Sequence, residues 1–143
     1  MQVSLNTSTL QKIYDGVTTV YYARLEDKNN TPRKTIMNLA SLKTHLSSIL
    51  DINIIFFQQK EMIINSPYIH RYSKDAKDNI HIEFTLSGLM LIEECLDLRL
   101  QILWEYAKEI KNNPTLFQEV NESITQAEEV LEKVQQYLVP MYN

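Results

Sequence analysis

Three polar residues at alternate positions, His81, Glu83 and Thr85, are the first candidates for chemistry. They lie in the stretch Ile80 to Leu86, where apolar and polar residues alternate as in a half-buried strand. Alternation would place all three on one face, with about 6.5–7 Å between successive members. A histidine and a carboxylate so placed could share a proton, a ligand or a metal, and the alternative is a solvated strand face. Because no third ligand stands at a short fixed spacing, we assign no metal.

Aromatic and cationic residues are interleaved in the segment before this strand, between Pro67 and Asn79, which its composition predicts to be a polar loop. Rings can stack on bases and cations can pair with phosphate, so the segment could hold a nucleotide-like anion. The alternative is an ordinary solvated loop. Together with the strand residues, the candidate ligand-binding set is Tyr68, His70, Arg71, Tyr72, Lys74, His81 and Glu83.

The sequence argues against several catalytic classes. Its only glycines are Gly16 and Gly88, which excludes a glycine-rich phosphate loop, a dinucleotide fingerprint and the nucleophile elbow of hydrolases. The lone Cys95 is flanked by Glu93 and Glu94, which disfavour a thiolate, so we expect a buried structural cysteine. We therefore assign no catalytic residue and no cofactor, and favour a non-enzyme. A single cysteine cannot form an internal disulfide, which favours a cytoplasmic setting.

Charge is divided unevenly along the 143 residues. Residues 87–143 hold four Lys/Arg against ten Asp/Glu, a net charge of −6, and the remainder holds ten against eight, a net charge of +2. The acidic half argues against nucleic acid as a partner. Hydrophobic residues make up 44% of the chain, which is ordinary for a globular protein, so we expect a single globular domain over residues 1–143. No stretch is apolar enough to predict a membrane span.

The order of elements predicts an α+β fold, because strands are followed by helices. We expect a small antiparallel sheet within residues 17–86, one covering helix over about 32–50 and a C-terminal antiparallel helical hairpin over about 87–138. Three segments are predicted to supply strands: Val17 to Leu25, which is rich in β-branched and aromatic residues, two apolar runs in 52–66, and Ile80 to Leu86.

The hairpin carries the most regular pattern in the chain. Its first helix, capped by Ser87, has two apolar stripes, while its second has one heptad stripe. That stripe consists of Phe117, Val120, Ile124, Ala127, Leu131, Val134 and Leu138. Leu100, Trp104 and Tyr106 point beyond both stripes of the first helix, so we expect them at an interface. The interface predicted is that of a homodimer or a higher even oligomer.

These features favour a small intracellular regulatory or inhibitor-type protein that acts by binding another protein. Immunity proteins, phage-encoded anti-defence factors and secretion-type chaperones are of this type. One alternative is a module that holds a nucleotide-like anionic small molecule at the aromatic and basic segment. A second alternative is a small nuclease or phosphoesterase that uses His70, His81 and Glu83.

Overall fold

A computed structural model describes residues 2–51, 61–64, 66–75, 77 and 79–142 of the chain. The elements are β1 (Gln2–Asn6), α1 (Thr7–Glu26), α2 (Arg33–Leu50), β2 (Met62–Ile63), β3 (Ile69–Lys74), β4 (Asn79–Phe84), α3 (Leu86–Glu109) and α4 (Pro114–Leu138). A short 3-10 turn, Val139–Tyr142, follows the last helix. The predicted α+β class is confirmed.

Among the described residues, four strands form an antiparallel sheet in the order β1-β4-β3-β2. The sheet thus begins at residue 2 rather than within 17–86. The predicted alternation in β4 is confirmed, because Ile80, Ile82 and Phe84 are at most 1% exposed. Leu86 is instead the first residue of α3 and is 37% exposed, so the strand ends before it.

The strand predicted over Val17 to Leu25 is wrong, since these residues belong to α1. The side chain of Asn6 caps that helix by accepting a hydrogen bond from the Thr9 amide at 2.8 Å. The buried residues then recur with helical spacing: Leu10, Ile13, Gly16, Val17 and Val20. The strand propensity of valine, threonine and tyrosine is a weak bias, and packing of this stripe overrides it.

The loop predicted between Pro67 and Asn79 is also wrong over much of its length, because β3 occupies Ile69–Lys74. The pairing of β3 with β4 is irregular between Ile69 and Arg71. His70 and Arg71 are therefore consecutive and both exposed. This interrupts the alternation of buried and exposed residues by which a strand is recognised in a sequence. Of the two apolar runs in 52–66, the first lies outside the described residues, and the second contributes β2.

The helix predicted over about 32–50 is confirmed as α2, and the residues it buries are Leu39, Leu42, Leu46 and Ile49. Its main packing partner is α1 rather than the sheet. At this contact the ammonium of Lys43 lies 5.6, 5.9 and 5.9 Å from the ring centroids of Tyr14, Tyr21 and Tyr22. Cation–π attraction therefore supplements the apolar contact between the two helices.

Helix α3 is the central helix, since it packs against both α1 and α4. Its N-cap is Thr85 rather than Ser87. The Thr85 hydroxyl accepts a hydrogen bond from the Gly88 amide at 2.9 Å and donates one to the Pro67 carbonyl at 2.6 Å. The predicted position of Thr85 on the open strand face with His81 is therefore wrong, because its hydroxyl bonds within this cap.

The hairpin of α3 and α4 has the predicted short connection. Asn113 caps α4, accepting a hydrogen bond from the Leu116 amide at 3.2 Å, and Pro114 takes the first helical position. One apolar cluster joins the two helices away from the sheet, and its buried members are Leu100, Ala107, Val120, Ile124 and Ala127. Within the described residues, no helix has the length and apolar character needed to cross a membrane.

The Gly88→Ala substitution tests the junction between the sheet and α3. A Cβ at Gly88 would overlap the carbonyl oxygen of Tyr68 and lie 3.0 Å from its carbonyl carbon. Since backbone atoms cannot move aside cheaply, we expect Gly88→Ala to lower the free energy of unfolding by at least about 2 kcal/mol. Chemical denaturation followed by circular dichroism measures this difference.

Gly16→Ala is the matched control, because both glycines lie in helices and gain about 1 kcal/mol of helix propensity from alanine. At Gly16 the added Cβ would meet the end of the Leu96 side chain at 2.8 Å, and a side chain can rotate. We expect the smaller loss there. Equal stabilities for the two variants would show that the junction tolerates a Cβ.

Candidate functional sites

The open face of the sheet holds several of the predicted site residues. Strand register places Ser4 beside His81 and Arg71 beside Glu83. The Ser4 hydroxyl lies 2.7 Å from Nδ1 of His81, and Nε of Arg71 donates to a Glu83 carboxylate oxygen at 2.8 Å. Directly paired residues share a face, so these four side chains form one polar row.

The charges in this row are largely paired with one another. Besides Glu83, Arg71 contacts the carboxylate of Glu61 at 3.3 Å, and its side chain is half exposed. Exposed pairs of this kind contribute about 0–1 kcal/mol to stability. Their effect here is on binding, because an external anion would have to compete with two carboxylates of this chain for the Arg71 guanidinium.

Asp75 holds the turn between β3 and β4 and adds a carboxylate near His81. It accepts hydrogen bonds from the amides of Lys77 at 2.8 Å and Asn79 at 3.2 Å. The Lys77 amide is the largest cause that holds the pKa of Asp75 below its usual value. Its other carboxylate oxygen lies 3.7 Å from Nε2 of His81. In the part of the chain that the structure describes, no three histidine, cysteine, aspartate or glutamate side chains are arranged to hold a metal ion.

The remaining predicted ligand-binding residues point away from this face, except His70, which is exposed. Tyr68, Tyr72 and Lys74 are 8%, 5% and 5% exposed, and burial raises the pKa of both tyrosines. The Lys74 ammonium donates to the carbonyl of Leu50 at 3.2 Å, which ties the sheet to the end of α2. The seven residues are therefore split between the two sides of the sheet and do not form one surface.

The predicted interface residues are also split. Leu100 is 9% exposed and belongs to the cluster between α3 and α4, because it points towards α4 rather than outwards. Trp104 and Tyr106 are 49% and 42% exposed, and Ile102 beside them is 41% exposed. We call the exposed surface around Ile102, Trp104 and Tyr106 the outer surface of α3. Glu105 and Glu109 line a shallow depression in it.

Sequence reasoning missed a cleft of about 800 Å³ between α1, α2 and the first half of α3. Polar side chains from all three helices line it: Arg24, Thr35, Asn38, Ser87, Glu93 and Glu94. No spacing in the sequence could have indicated this set, because its members come from distant segments that only packing brings together.

Cys95 lines this cleft and is 1% exposed. Burial is the largest cause that raises its pKa to about 12, and the Glu94 carboxylate adds to the effect while Arg24 partly opposes it. The neutral thiol is thus the form present at neutral pH. The expectation of a buried, unreactive cysteine agrees with this environment.

Over the described residues, the fold is that of a small α+β protein in which a four-stranded antiparallel sheet and the pair α1 and α2 support a C-terminal hairpin. No protein-family model matches the chain, and the comparisons with curated proteins and with solved structures likewise give no match.

Thiol labelling tests the environment of Cys95. With a pKa of about 12, only about one thiol in ten thousand is ionised at pH 8. We expect a thiolate-specific reagent such as iodoacetamide to leave the native protein unlabelled at pH 8 and to label one site per chain in denaturant. Rapid labelling of the native protein, measured by intact mass, would contradict this environment.

Proposed function

We propose that this chain is a non-enzymatic regulatory or inhibitor-type protein that acts by binding another protein through the outer surface of α3. The observation that carries the proposal is the exposure of Ile102, Trp104 and Tyr106 on one stretch of a helix. Burial of large apolar side chains is the main driving force of association, and tryptophan and tyrosine often contribute most to it. A half-exposed tryptophan with apolar neighbours is therefore a suitable anchor for a partner.

The charges around this surface suggest what kind of partner fits. Glu105 and Glu109 border it, and Lys108 is 3.6 Å from Glu105 as a highly exposed pair. The hairpin as a whole carries the acidic part of the chain. A partner with an apolar pocket for Trp104 and lysine or arginine at its rim would match both properties.

The sequence also predicts a homodimer, in which a second copy of the chain would bind the same surface. A two-fold contact would bring the acidic border of one copy towards that of the other. Like charges near an interface oppose association, so the border favours a basic partner over a second copy. The mass of the native complex distinguishes a foreign partner from a second copy.

The two small-molecule and catalytic alternatives receive less support from the geometry. An anion at the basic segment would have to displace Glu61 and Glu83 from Arg71, while Lys74 is buried. A nuclease would need His70 and His81 to act together, but His81 is bound to Ser4 on the open face. The geometry of these residues thus provides neither an available cation for an anionic ligand nor a pair of histidines placed for hydrolysis.

The Trp104→Glu substitution tests the proposal, because a carboxylate at the centre of an apolar contact must be desolvated on binding. We expect the variant to fold like the wild type and to lose its bound protein. The measurement is native mass spectrometry of tagged protein purified from its own host, with circular dichroism as a check of folding.

Met37→Glu is the matched control, since Met37 is an apolar residue on α2 with 59% exposure. It should keep the partner. Loss of a heteromeric mass only in Trp104→Glu supports a foreign partner, whereas loss of a dimer mass supports self-association. A wild type that remains a single chain, or two variants that behave alike, would contradict the proposed surface.

A further inference from the structure

We infer that the cleft between α1, α2 and α3 binds a small zwitterionic ligand of the amino-acid type, with its carboxylate at Arg24 and its ammonium group at Glu93 and Glu94. This ligand site is distinct from the outer surface of α3, although Leu98 borders both. The cleft lies along the first half of α3, while Trp104 lies in the second half. Failure of one proposal therefore leaves the other standing.

The first support is the size and position of the cleft. Its volume of about 800 Å³ falls within the range of about 300–1,000 Å³ that is usual for small-molecule sites. It is bounded by three helices that are fixed by the core, because Val20, Leu39 and Cys95 reach both the cleft and the buried interior. The walls are thus formed before any ligand arrives.

The second support is a set of opposite charges that have no ion-pair partner among the described residues. Arg24 and Glu94 both line the cleft, and both act on the Cys95 thiol, in opposite directions. Yet neither makes an ion pair or a hydrogen bond with any residue in the described ranges. On the open face of the sheet, by contrast, Arg71 pairs with two carboxylates. A zwitterion would supply both missing partners at once.

The other lining groups fit the remaining parts of such a ligand. Thr35, Asn38 and Ser87 offer hydroxyl and amide groups that can donate or accept hydrogen bonds. Apolar side chains provide a wall for an apolar substituent, namely Val20, Leu39, Met90, Leu91 and Leu98. Polar and apolar side chains line the cleft in comparable proportion, which suits a ligand with two charged groups and an apolar substituent.

The start of α2 strengthens the carboxylate end of the cleft. Pro32, the N-cap of α2, lines the cleft and provides no side-chain hydrogen bond to the first turn. The first turn of a helix carries partial positive charge from its free amides. This charge adds to that of Arg24, so the anionic end of the ligand should lie towards α2 and its cationic end towards α3.

The experiment is an NMR titration of the ¹⁵N-labelled full chain with L-leucine, L-methionine, L-phenylalanine and L-tryptophan at millimolar concentration. The probe that binds most tightly is then compared with its N-acetyl and amide derivatives, which keep only the negative or only the positive charge. We expect saturable shifts of the amide signals of Asn38, Ser87 and Cys95 with the zwitterion, and at least tenfold weaker binding of each derivative.

Substitutions identify the two charged groups. Arg24→Gln and Glu94→Gln should each weaken binding of the amino acid at least tenfold, because each leaves one charge of the ligand unpaired. Arg33→Gln is the matched control, since Arg33 is exposed at the start of α2 and does not line the cleft. The Arg33→Gln variant should bind the amino acid with the same affinity as the wild type.

Several results would overturn the inference. One is that none of the four amino acids shifts the amide signals of cleft residues. Another is that an acetylated or amidated derivative binds as tightly as the amino acid itself. The third is that Arg24→Gln and Glu94→Gln bind the amino acid with the affinity of the wild type. Because both substituted residues are at least partly exposed, the variants should fold, and their spectra outside the cleft verify this.

Discussion

The close approach of Gly88 to the carbonyl of Tyr68 is the constraint on which the rest of the arrangement depends. It allows the chain to leave the sheet and enter α3 within a few residues, and Thr85 secures it by bonding to both Pro67 and Gly88. The Thr85 amide also donates to the Tyr68 carbonyl at 3.0 Å. Because α3 packs on both α1 and α4, its starting point sets the position of every helix that contacts it.

Two surfaces of different character follow from this placement of α3. Its first half faces α1 and α2 across a cleft whose charges have no ion-pair partner among the described residues, and its second half packs on α4 through Leu100 and Ala107. This half carries more large apolar side chains than its contact with α4 covers, and Trp104 stays half exposed. One helix thus carries both a recessed polar site and an exposed apolar one.

Whether a polar side chain already has a partner within the chain, rather than its residue type, distinguishes a candidate binding residue from a structural one. On the open sheet face His81 is bonded to Ser4 and Arg71 to Glu83, and Lys74 supports the end of α2. Such groups stabilise the fold but have little to offer a ligand. Arg24 and Glu94 are ordinary residues in the sequence, and they become notable only because, within the described residues, packing gives them no internal partner.

The sequence by itself determined the features that depend on short-range periodicity. The seven-residue stripe of α4, the apolar face of α2, the alternation of Ile80, Ile82 and Phe84, and the α+β class could all be predicted. The neutral, buried state of Cys95 could also be predicted, since acidic neighbours and an apolar helix are both local properties. In these segments local preference and tertiary packing favour the same structure.

Only the tertiary structure decided the rest, because it depends on contacts between distant segments. Val17 to Leu25 has strand-forming residues but becomes helical, since its buried stripe packs against α2 and α3. The irregular register of β3 hides a strand, and the cleft draws its charges from helices about 70 residues apart in sequence. Spacing along the chain carries no information about such neighbours, so the candidate site had to be read from the fold.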